Sequence, residues 1–423
     1  MHSLNKLSNG LQLITIPMRG TKTATVLVMV RTGSKYENKN NSGISHFLEH
    51  MFFKGTEKRP DTLAISSELD GIGAEFNAFT GKEYTGYWVK AASDKIELAM
   101  DVVSDMLLNS KFAEKEIERE KGVIIEELNM YRDNPAMYIE DLFEELLYGD
   151  QPAGRDTIGT KENILKFKRR DFTDYLASQY GAQNTFICVA GNFAGALRAM
   201  PVQVEKYFSK LKPSKFQDKK PVREKQDKPE IKLHYKKTDQ AHLSLGVRAF
   251  SIGRKDEHAL KAAAILLGGS MSSRLFIELR EKKGLAYSVK TQAEFYTDSG
   301  YLTTEAGVPI GKIKEAIKII LAEYKKLAKT LVDKKELERT KNLIRGRLAI
   351  QLESSDNVAA WYGKHMVLRD RILTPEEFLK AMDSVTVKDI QRVARDIFIN
   401  KGLNLAIIGP FKDKIKFNNL LKI

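Results

Sequence analysis

Residues 25–31, Thr-Val-Leu-Val-Met-Val-Arg, and residues 242–248, His-Leu-Ser-Leu-Gly-Val-Arg, are two apolar stretches that each end in arginine. Arg31 and Arg248 are 217 positions apart. Three more pairs of segments recur at offsets of 218 or 219: Ala74-Glu-Phe76 with Ala293-Glu-Phe295, Asp171 with Asp389, and Val189-Ala-Gly-Asn-Phe193 with Ile407-Ile-Gly-Pro-Phe411. A nearly constant offset is the signature of an internal duplication. The sequence therefore predicts two similar domains of about 210 residues each.

The predicted domains are residues 1–212 and 231–423, joined by a linker at 213–230. The linker is rich in Lys, Pro, Asp and Gln, which is typical of a solvated connecting segment. Strand-like runs such as residues 84–89 are mixed with helical runs such as residues 313–327. The predicted fold class is α+β, with helices packed on an antiparallel or mixed sheet in each domain.

The composition is that of a folded protein, with 42% hydrophobic and 29% charged residues among 423. The net charge is +14, but Lys and Arg are dispersed beside acidic residues and no nucleic-acid-binding motif is present, so we expect no nucleic-acid partner. No apolar run approaches the roughly 20 residues that span a bilayer, so we expect no membrane association. The single cysteine, Cys188, and the absence of a signal-like N-terminus favour the cytoplasm.

Residues 43–53, Gly-Ile-Ser-His-Phe-Leu-Glu-His-Met-Phe-Phe, are predicted to form an amphipathic helix. Ser42 is a candidate cap for its start, and Gly55 is a candidate for its end. The apolar residues of this stretch fall at i, i+3, i+4 and i+7 and therefore share one face: Ile44, Phe47, Leu48 and Met51.

The same helix carries the motif His-x-x-Glu-His at residues 46–50. His46 and His50 are one turn apart and project from one face, where two imidazoles can bind the same Zn²⁺. Glu49 lies on that side and can act as general base on a metal-bound water without being a ligand itself. This order is the inverse of the commoner His-Glu-x-x-His motif.

A catalytic zinc site needs a third protein ligand, and the best candidates lie on a helix predicted at residues 114–131. Glu120 and Glu127 are seven residues apart and share a face that apolar residues make partly buried. A buried carboxylate needs a partner, and a metal ion can be that partner. Glu126 competes with Glu127, but it shares a face with polar and small residues and is expected to be more exposed.

With these motifs, the sequence resembles the pitrilysin/insulinase-type (inverzincin) zinc metallopeptidases, most closely their short, processing-peptidase-like branch. In that family about 76 residues separate the inverted motif from the third zinc ligand, and 76 residues separate His50 from Glu127 here. The family also keeps a carboxylate seven residues earlier, which matches Glu120. The resemblance implies one zinc ion per chain, bound by His46, His50 and Glu127, because the second half lacks the motif.

Two further segments match the family and imply substrate contacts. Residues 73–80 resemble its edge strand, which would place Asn77 and Ala78 against the substrate backbone. The stretch from Ser273 to Tyr287 resembles its Arg/Tyr segment, so Arg280 would bind a substrate carbonyl or carboxylate and Tyr287 would stabilise the oxyanion. From the residues alone, Asn77 would simply end a strand and Arg280 would be a surface helix residue.

The expected function is therefore that of a zinc metalloendopeptidase that hydrolyses short or unfolded peptides inside a closed chamber. In the family, two such pairs of domains enclose the chamber, so a homodimer is implied for a chain of this length. The alternative is a non-catalytic subunit of the same fold, or one that is active only with a different partner.

Overall fold

The computed structural model describes residues 2–193 and 198–423 and contains two β-sheets with helices packed on them. The strands are β1 (Ser3–Lys6), β2 (Gln12–Pro17), β3 (Thr23–Val30), β4 (Glu75–Thr80), β5 (Thr85–Ala92), β6 (Thr185–Gly191), β7 (Glu230–Tyr235), β8 (Gln240–Arg248), β9 (Val289–Phe295), β10 (Gly300–Pro309) and β11 (Leu403–Gly409).

The α-helices follow the strands in a similar order in both halves of the chain. They are α1 (Ile44–Met51), α2 (Thr62–Asp70), α3 (Ile96–Asn109), α4 (Glu114–Asp133), α5 (Pro135–Tyr148), α6 (Lys161–Lys166), α7 (Arg169–Gln179), α8 (Met200–Phe208), α9 (Glu257–Gly268), α10 (Ile313–Lys329), α11 (Lys334–Gln351), α12 (Ser355–Arg369), α13 (Pro375–Asp383), α14 (Val387–Ile397) and α15 (Ile415–Asn418). No described helix combines the length and apolar character that crossing a lipid bilayer requires.

Apart from the additional edge strand β1 of the first sheet, the two sheets have the same topology, which confirms the predicted α+β duplication. Strand order is β1-β2-β6-β3-β5-β4 in the first sheet and β7-β11-β8-β10-β9 in the second. In each sheet one parallel pair, β2 with β6 or β7 with β11, is followed by antiparallel pairs. The central strands β6 and β11 are buried at every residue, as expected for strands covered on both faces.

The chain divides into two compact units, each assembled from non-contiguous segments. Unit 1 contains residues 1–128, 156–220 and 348–374, and unit 2 contains residues 129–155, 221–347 and 375–423. Helix α12, from the second half of the sequence, packs against β3 and β6 within unit 1. Helix α5, from the first half, packs against β8 and β11 within unit 2. We call α5 and α12 the exchanged helices.

A glycine lets each exchanged helix lie close to its sheet. At Gly363 of α12, an added Cβ would lie 2.9 Å from Met29 Cγ and 3.1 Å from Cys188 Sγ in the first sheet. In unit 2 the glycine is on the sheet, since a Cβ on Gly246 of β8 would lie 2.9 Å from Phe143 Cζ of α5. These approaches are closer than a methyl group allows, so both positions require glycine for packing.

Candidate metal centre

Gly43 is the N-cap of helix α1, and its backbone has a φ of 98°. The prediction that Ser42 caps this helix is wrong, because the first backbone amides are bound from farther away. The Glu37 carboxylate accepts hydrogen bonds from Gly43 N at 2.7 Å and from Ser45 N at 2.8 Å. Burial raises the pKa of Glu37 to about 7, although these hydrogen bonds lower it. The carboxylate thus fixes the end of the helix just ahead of His46.

The ligand atoms of His46, His50 and Glu127 converge, and all lie within 4.8 Å of one another. His46 is 8% exposed, and the two imidazole centroids are 4.7 Å apart. His46 Nε2 lies 3.5 Å from Glu127 Oε1, and His50 Nε2 lies 3.4 Å from Glu127 Oε2. Helix α4 therefore brings its half-buried carboxylate to both histidines of α1, whereas Glu126 is exposed.

These separations fit a shared zinc ion better than direct hydrogen bonds. Nitrogen–oxygen hydrogen bonds are usually 2.7–3.2 Å long, so contacts of 3.4 and 3.5 Å are too long. Two ligands each about 2.05 Å from a tetrahedral Zn²⁺ are about 3.3 Å apart, which is close to both values. His46 Nδ1 is also buried and has no hydrogen-bond partner among the described residues, so the imidazole is held by packing. Two imidazoles and one carboxylate are a common donor set for catalytic zinc.

Glu120 supports this cluster from behind His50. Glu120 is 2% exposed, and its carboxylate accepts a hydrogen bond from His50 Nδ1 at 2.8 Å and lies 2.6 Å from Lys54 Nζ. Because an ionised carboxylate can only accept, His50 carries its proton on Nδ1 and turns Nε2 toward Glu127. Such a carboxylate–histidine pair orients the imidazole and increases its basicity as a ligand.

The charges of the cluster shift one another's pKa values. Burial lowers the pKa of His50, but contacts with Glu120 and Glu127 outweigh it and raise that pKa to about 9. Burial raises the pKa of Glu120, but the hydrogen bonds from His50 and Lys54 leave it below its usual value. Contacts with His46 and His50 hold the pKa of Glu127 far below its usual range. Two carboxylates therefore stay ionised beside the imidazoles, as metal binding requires.

Glu49 lies beside the cluster without belonging to it. Its Oε2 accepts a hydrogen bond from Thr80 Oγ1 at 2.5 Å, which links α1 to the end of β4. Burial raises the pKa of Glu49, whereas Thr80 and the two histidines lower it. A carboxylate with a raised pKa, next to a metal-type cluster, is suited to accept a proton during catalysis.

Asn77 and Ala78 lie on β4, which is the edge strand of the first sheet and, among the described strands, pairs with β5 alone. Asn77 is exposed, and its Oδ1 accepts a hydrogen bond from Ala78 N at 2.8 Å. An unpaired strand edge presents backbone groups that an extended peptide can pair with. The edge position agrees with the expected substrate strand, but the roles of Asn77 and Ala78 remain predictions.

Arg280 and Tyr287 belong to unit 2, where they contact each other. Arg280 lies in the π-helix Phe276–Lys282, and its Nη1 donates to the carbonyl oxygen of Tyr287 at 3.0 Å. Its guanidinium carbon is 4.7 Å from the centroid of the Tyr287 ring and 4.9 Å from that of Phe276. Tyr287 is 81% exposed, so its hydroxyl is available to a ligand. Their proposed contacts with substrate remain predictions.

Three supporting residues were not identified from the sequence. Lys54 lies four residues after His50 but beyond the end of α1 at Met51, so helical spacing does not place it beside Glu120. Thr80 ends the strand segment that was singled out, but nothing in its pattern pairs it with Glu49. Glu37 precedes the helix by several residues, and no local signal distinguishes it from a surface acid.

Comparison with known families gives matches over most of the chain. The family model described as "Insulinase (Peptidase family M16)" matches residues 13–161, and the one described as "Peptidase M16 inactive domain" matches residues 166–344. A Bacillus subtilis (strain 168) protein named "Uncharacterized zinc protease YmxG" is 35% identical over 406 residues, which cover 95% of this chain and 97% of that protein. A Rickettsia bellii (strain RML369-C) protein named "Uncharacterized zinc protease" is 33% identical over 409 residues, which cover 96% of this chain and 97% of that protein.

Solved structures show the same architecture. A protease from Helicobacter pylori superposes with a TM-score of 0.91 and 25% identity, covering 97% of this chain and 99% of that one. A Pseudomonas fluorescens structure titled as a peptidase M16 inactive domain superposes with a TM-score of 0.88 at 19% identity, which shows the fold alone. The matched relatives are similar along nearly their whole length and are named as zinc proteases. The resemblance inferred from the motifs is therefore confirmed, and the chain belongs to the insulinase family of peptidases, M16.

Proposed function

We propose that the chain is a zinc-dependent endopeptidase with one zinc ion per chain. The observation that carries this proposal is the convergence of His46, His50 and Glu127, with Glu49 beside them. The zinc-protease names of its relatives support the same activity. In this proposal, different residues of the chain bind the zinc ion, transfer the proton and position the substrate.

The zinc ion would polarise the scissile carbonyl and lower the pKa of the attacking water. Glu49 removes a proton from that water and passes it to the leaving amine. Thr80 holds the Glu49 carboxylate by its hydrogen bond, so the base is positioned before the substrate arrives. Glu120 keeps the proton of His50 on Nδ1, which leaves Nε2 for the metal.

The substrates proposed are short or unfolded peptides. An extended segment would pair with the free edge of β4 at Asn77 and Ala78, as β-augmentation requires. Tyr287 would stabilise the developing oxyanion, and Arg280 would bind a substrate carbonyl or carboxylate. A homodimer enclosing a chamber, in the cytoplasm, completes the proposal and follows from the family resemblance and the single cysteine.

The decisive experiment compares wild type with Glu49→Gln on a quenched, unstructured peptide library. We expect cleavage by wild type to be abolished by chelator and restored by zinc. Glu49→Gln should bind zinc normally but lose about 100- to 10,000-fold in kcat/KM, the usual contribution of a general base. Glu126→Gln is the matched control, because it removes an exposed carboxylate near the site. Turnover by Glu49→Gln at the wild-type rate would eliminate Glu49 as the base.

The dimer is tested separately by light scattering on the purified, zinc-loaded chain. A mass of twice 47.9 kDa supports the homodimer. A monomer without peptidase activity would instead favour the alternative of a subunit that needs a different partner, and co-purification would then identify that partner.

A further inference from the structure

Unit 2 contains a pocket of about 600 Å³ between α5 and the second sheet. It lies entirely within this unit and contains none of the zinc-ligand candidates. Glu140 of α5, Glu305 of β10, His242 of β8 and the exposed Tyr287 all line it. A volume of this size accommodates a long side chain together with part of the backbone that carries it.

The chemical feature that identifies a ligand is Glu305. Its Oε1 is buried and has no hydrogen-bond partner in the described part of the chain, although buried carboxylate oxygens are nearly always paired. Burial, together with the nearby negative charge of Glu140, raises the pKa of Glu305 to about 7. Two carboxylates therefore compete for charge in one pocket, and a cation from outside would stabilise both.

The described residues supply little positive charge to this pocket. Lys290 lies directly opposite Glu305 in the β9–β10 register and lowers its pKa, but Lys290 is exposed and Glu305 Oε1 is still unpaired. Burial lowers the pKa of His242, so this imidazole is neutral at neutral pH. The pocket is thus acidic in a chain whose net charge is +14.

The shape of the pocket also favours an inserted chain. Gly307 lies opposite His242 in the β8–β10 register, and a Cβ there would be 3.2 Å from both His242 Cε1 and Gln240 Oε1. The missing side chain therefore keeps this wall open. The aromatic ring of Tyr131 also lines the pocket, and such rings favour cations at their faces.

We propose that this pocket binds a positively charged group of the peptide substrate, either a Lys or Arg side chain or the free amino terminus. Glu305 is the direct partner of the cation, and Glu140 adds a second negative charge. This inference rests on the proposed function, because it takes a peptide as the ligand and Tyr287 as a residue that contacts it. It assigns the second unit a role in selecting substrates.

The inference is tested with a peptide series of one sequence in which Lys is scanned along the chain and compared with norleucine at the same position. Each peptide is made with a free and with an acetylated amino terminus, which separates the two sources of charge. We expect wild type to prefer the best cationic peptide by about tenfold or more in kcat/KM, as for hydrogen bonds to charged groups. Glu305→Gln should reduce this preference to within about twofold while cleavage of the acetylated norleucine peptides, which carry neither source of charge, stays unchanged.

Three further variants sharpen the test. Lys290→Gln should increase the preference, because it removes the competing cation opposite Glu305. Gly307→Val should reduce the preference by filling the wall without changing charge. Glu230→Gln is the matched control, since Glu230 lies on the opposite edge of the same sheet, outside the pocket. Circular dichroism checks that each variant is folded. If Gly307→Val does not fold, the outcome for Glu305→Gln alone decides the test.

Direct binding separates this inference from the proposed function. The same peptides, fluorescently labelled, are titrated by anisotropy against zinc-loaded Glu49→Gln, with and without Glu305→Gln. If wild type cleaves peptides but neither cleavage nor binding depends on their charge, the pocket assignment is overturned and the peptidase stands. If no peptide is cleaved but cationic ones still bind through Glu305, the pocket assignment stands and the peptidase does not.

Discussion

Replacing Glu120 by glutamine tests whether the carboxylate behind His50 tunes the metal site. In wild type this residue is 2% exposed, and its carboxylate accepts a hydrogen bond from His50 Nδ1 at 2.8 Å and lies 2.6 Å from Lys54 Nζ. The Glu120→Gln variant would keep the shape of the side chain and one acceptor but lose the charge. Losing such a partner of a metal-binding histidine usually costs 10- to 100-fold in affinity, or about 1.4–2.8 kcal/mol.

Relief of the competition between zinc and a proton at His50 partly offsets this loss of zinc affinity at neutral pH. In the metal-free protein the pKa of His50 is raised to about 9, so zinc must displace a proton at pH 7. That competition weakens zinc binding at pH 7 by about 100-fold relative to pH well above 9. Because Glu120 is part of the cause of the raised pKa, Glu120→Gln relieves some of this competition. The loss of affinity should therefore be largest at pH 9 and smaller at pH 7.

The assay is zinc competition against a chromophoric chelator, with wild type, Glu120→Gln and Glu126→Gln each measured at pH 7 and pH 9. We expect a 10- to 100-fold weaker Kd for Glu120→Gln at pH 9, a smaller deficit at pH 7, and no change for the exposed Glu126→Gln. Equal affinities of wild type and Glu120→Gln at pH 9 would refute the supporting role. A larger deficit at pH 7 than at pH 9 would refute the proposed proton competition.

Three other predictions concern the base, the helix start and the packing. Thr80→Val removes a hydrogen bond that lowers the pKa of Glu49, so the acid limb of the kcat/KM profile should move to higher pH; an unmoved limb contradicts this coupling. The pKa of Glu37 is about 7 in the folded state, against 4.5 in the unfolded state. Between these pH values the folded state binds more protons than the unfolded state. The free energy of unfolding should therefore fall as the pH rises from about 4.5 to 7. In wild type this fall amounts to at most about 3 kcal/mol, and urea unfolding of the metal-free Glu37→Gln variant should show no such fall. If the free energies of unfolding of the two proteins differ by the same amount at every pH, the prediction is wrong. Gly363→Val should destabilise the protein by about 1–3 kcal/mol through overpacking. Gly346→Ala, on an open helical surface, should be neutral or stabilising by up to about 1 kcal/mol, and equal effects of the two substitutions would contradict the packing explanation.

Local patterns predicted the parts of the site that lie within one element. The four-residue spacing of His46 and His50 is a property of a single helix, and the seven-residue spacing of Glu120 and Glu127 is a property of another. The need for a third ligand and the partly buried carboxylates made the second helix the candidate partner, and the family resemblance supported that choice, since no spacing within either helix specifies their pairing. The duplicated topology was predictable because the two halves of one sequence could be compared with each other.

Contacts between distant segments could not be predicted in this way. Thr80 meets Glu49 only because β4 ends beside α1, and Glu37 reaches Ser45 through an irregular loop. Periodicity can likewise indicate an apolar face on a helix such as α5 or α12, but it does not say which sheet that face covers. The pocket around Glu305 depends on that choice of sheet, because α5 supplies one of its walls.

The exchanged helices also determine when the chain can finish folding during synthesis. Unit 1 is otherwise complete at residue 220, but it lacks α12 until residue 374 has been made, 154 residues later. At 5–20 residues per second, the ribosome needs about 8–30 seconds for that interval. During this time β3 and β6 expose the apolar surface that α12 will cover. Helix α5 is likewise uncovered, because the strands of the second sheet on which it packs have not yet been translated. We therefore expect the nascent chain to be prone to aggregation through the apolar strands β3 and β6 until the second half emerges.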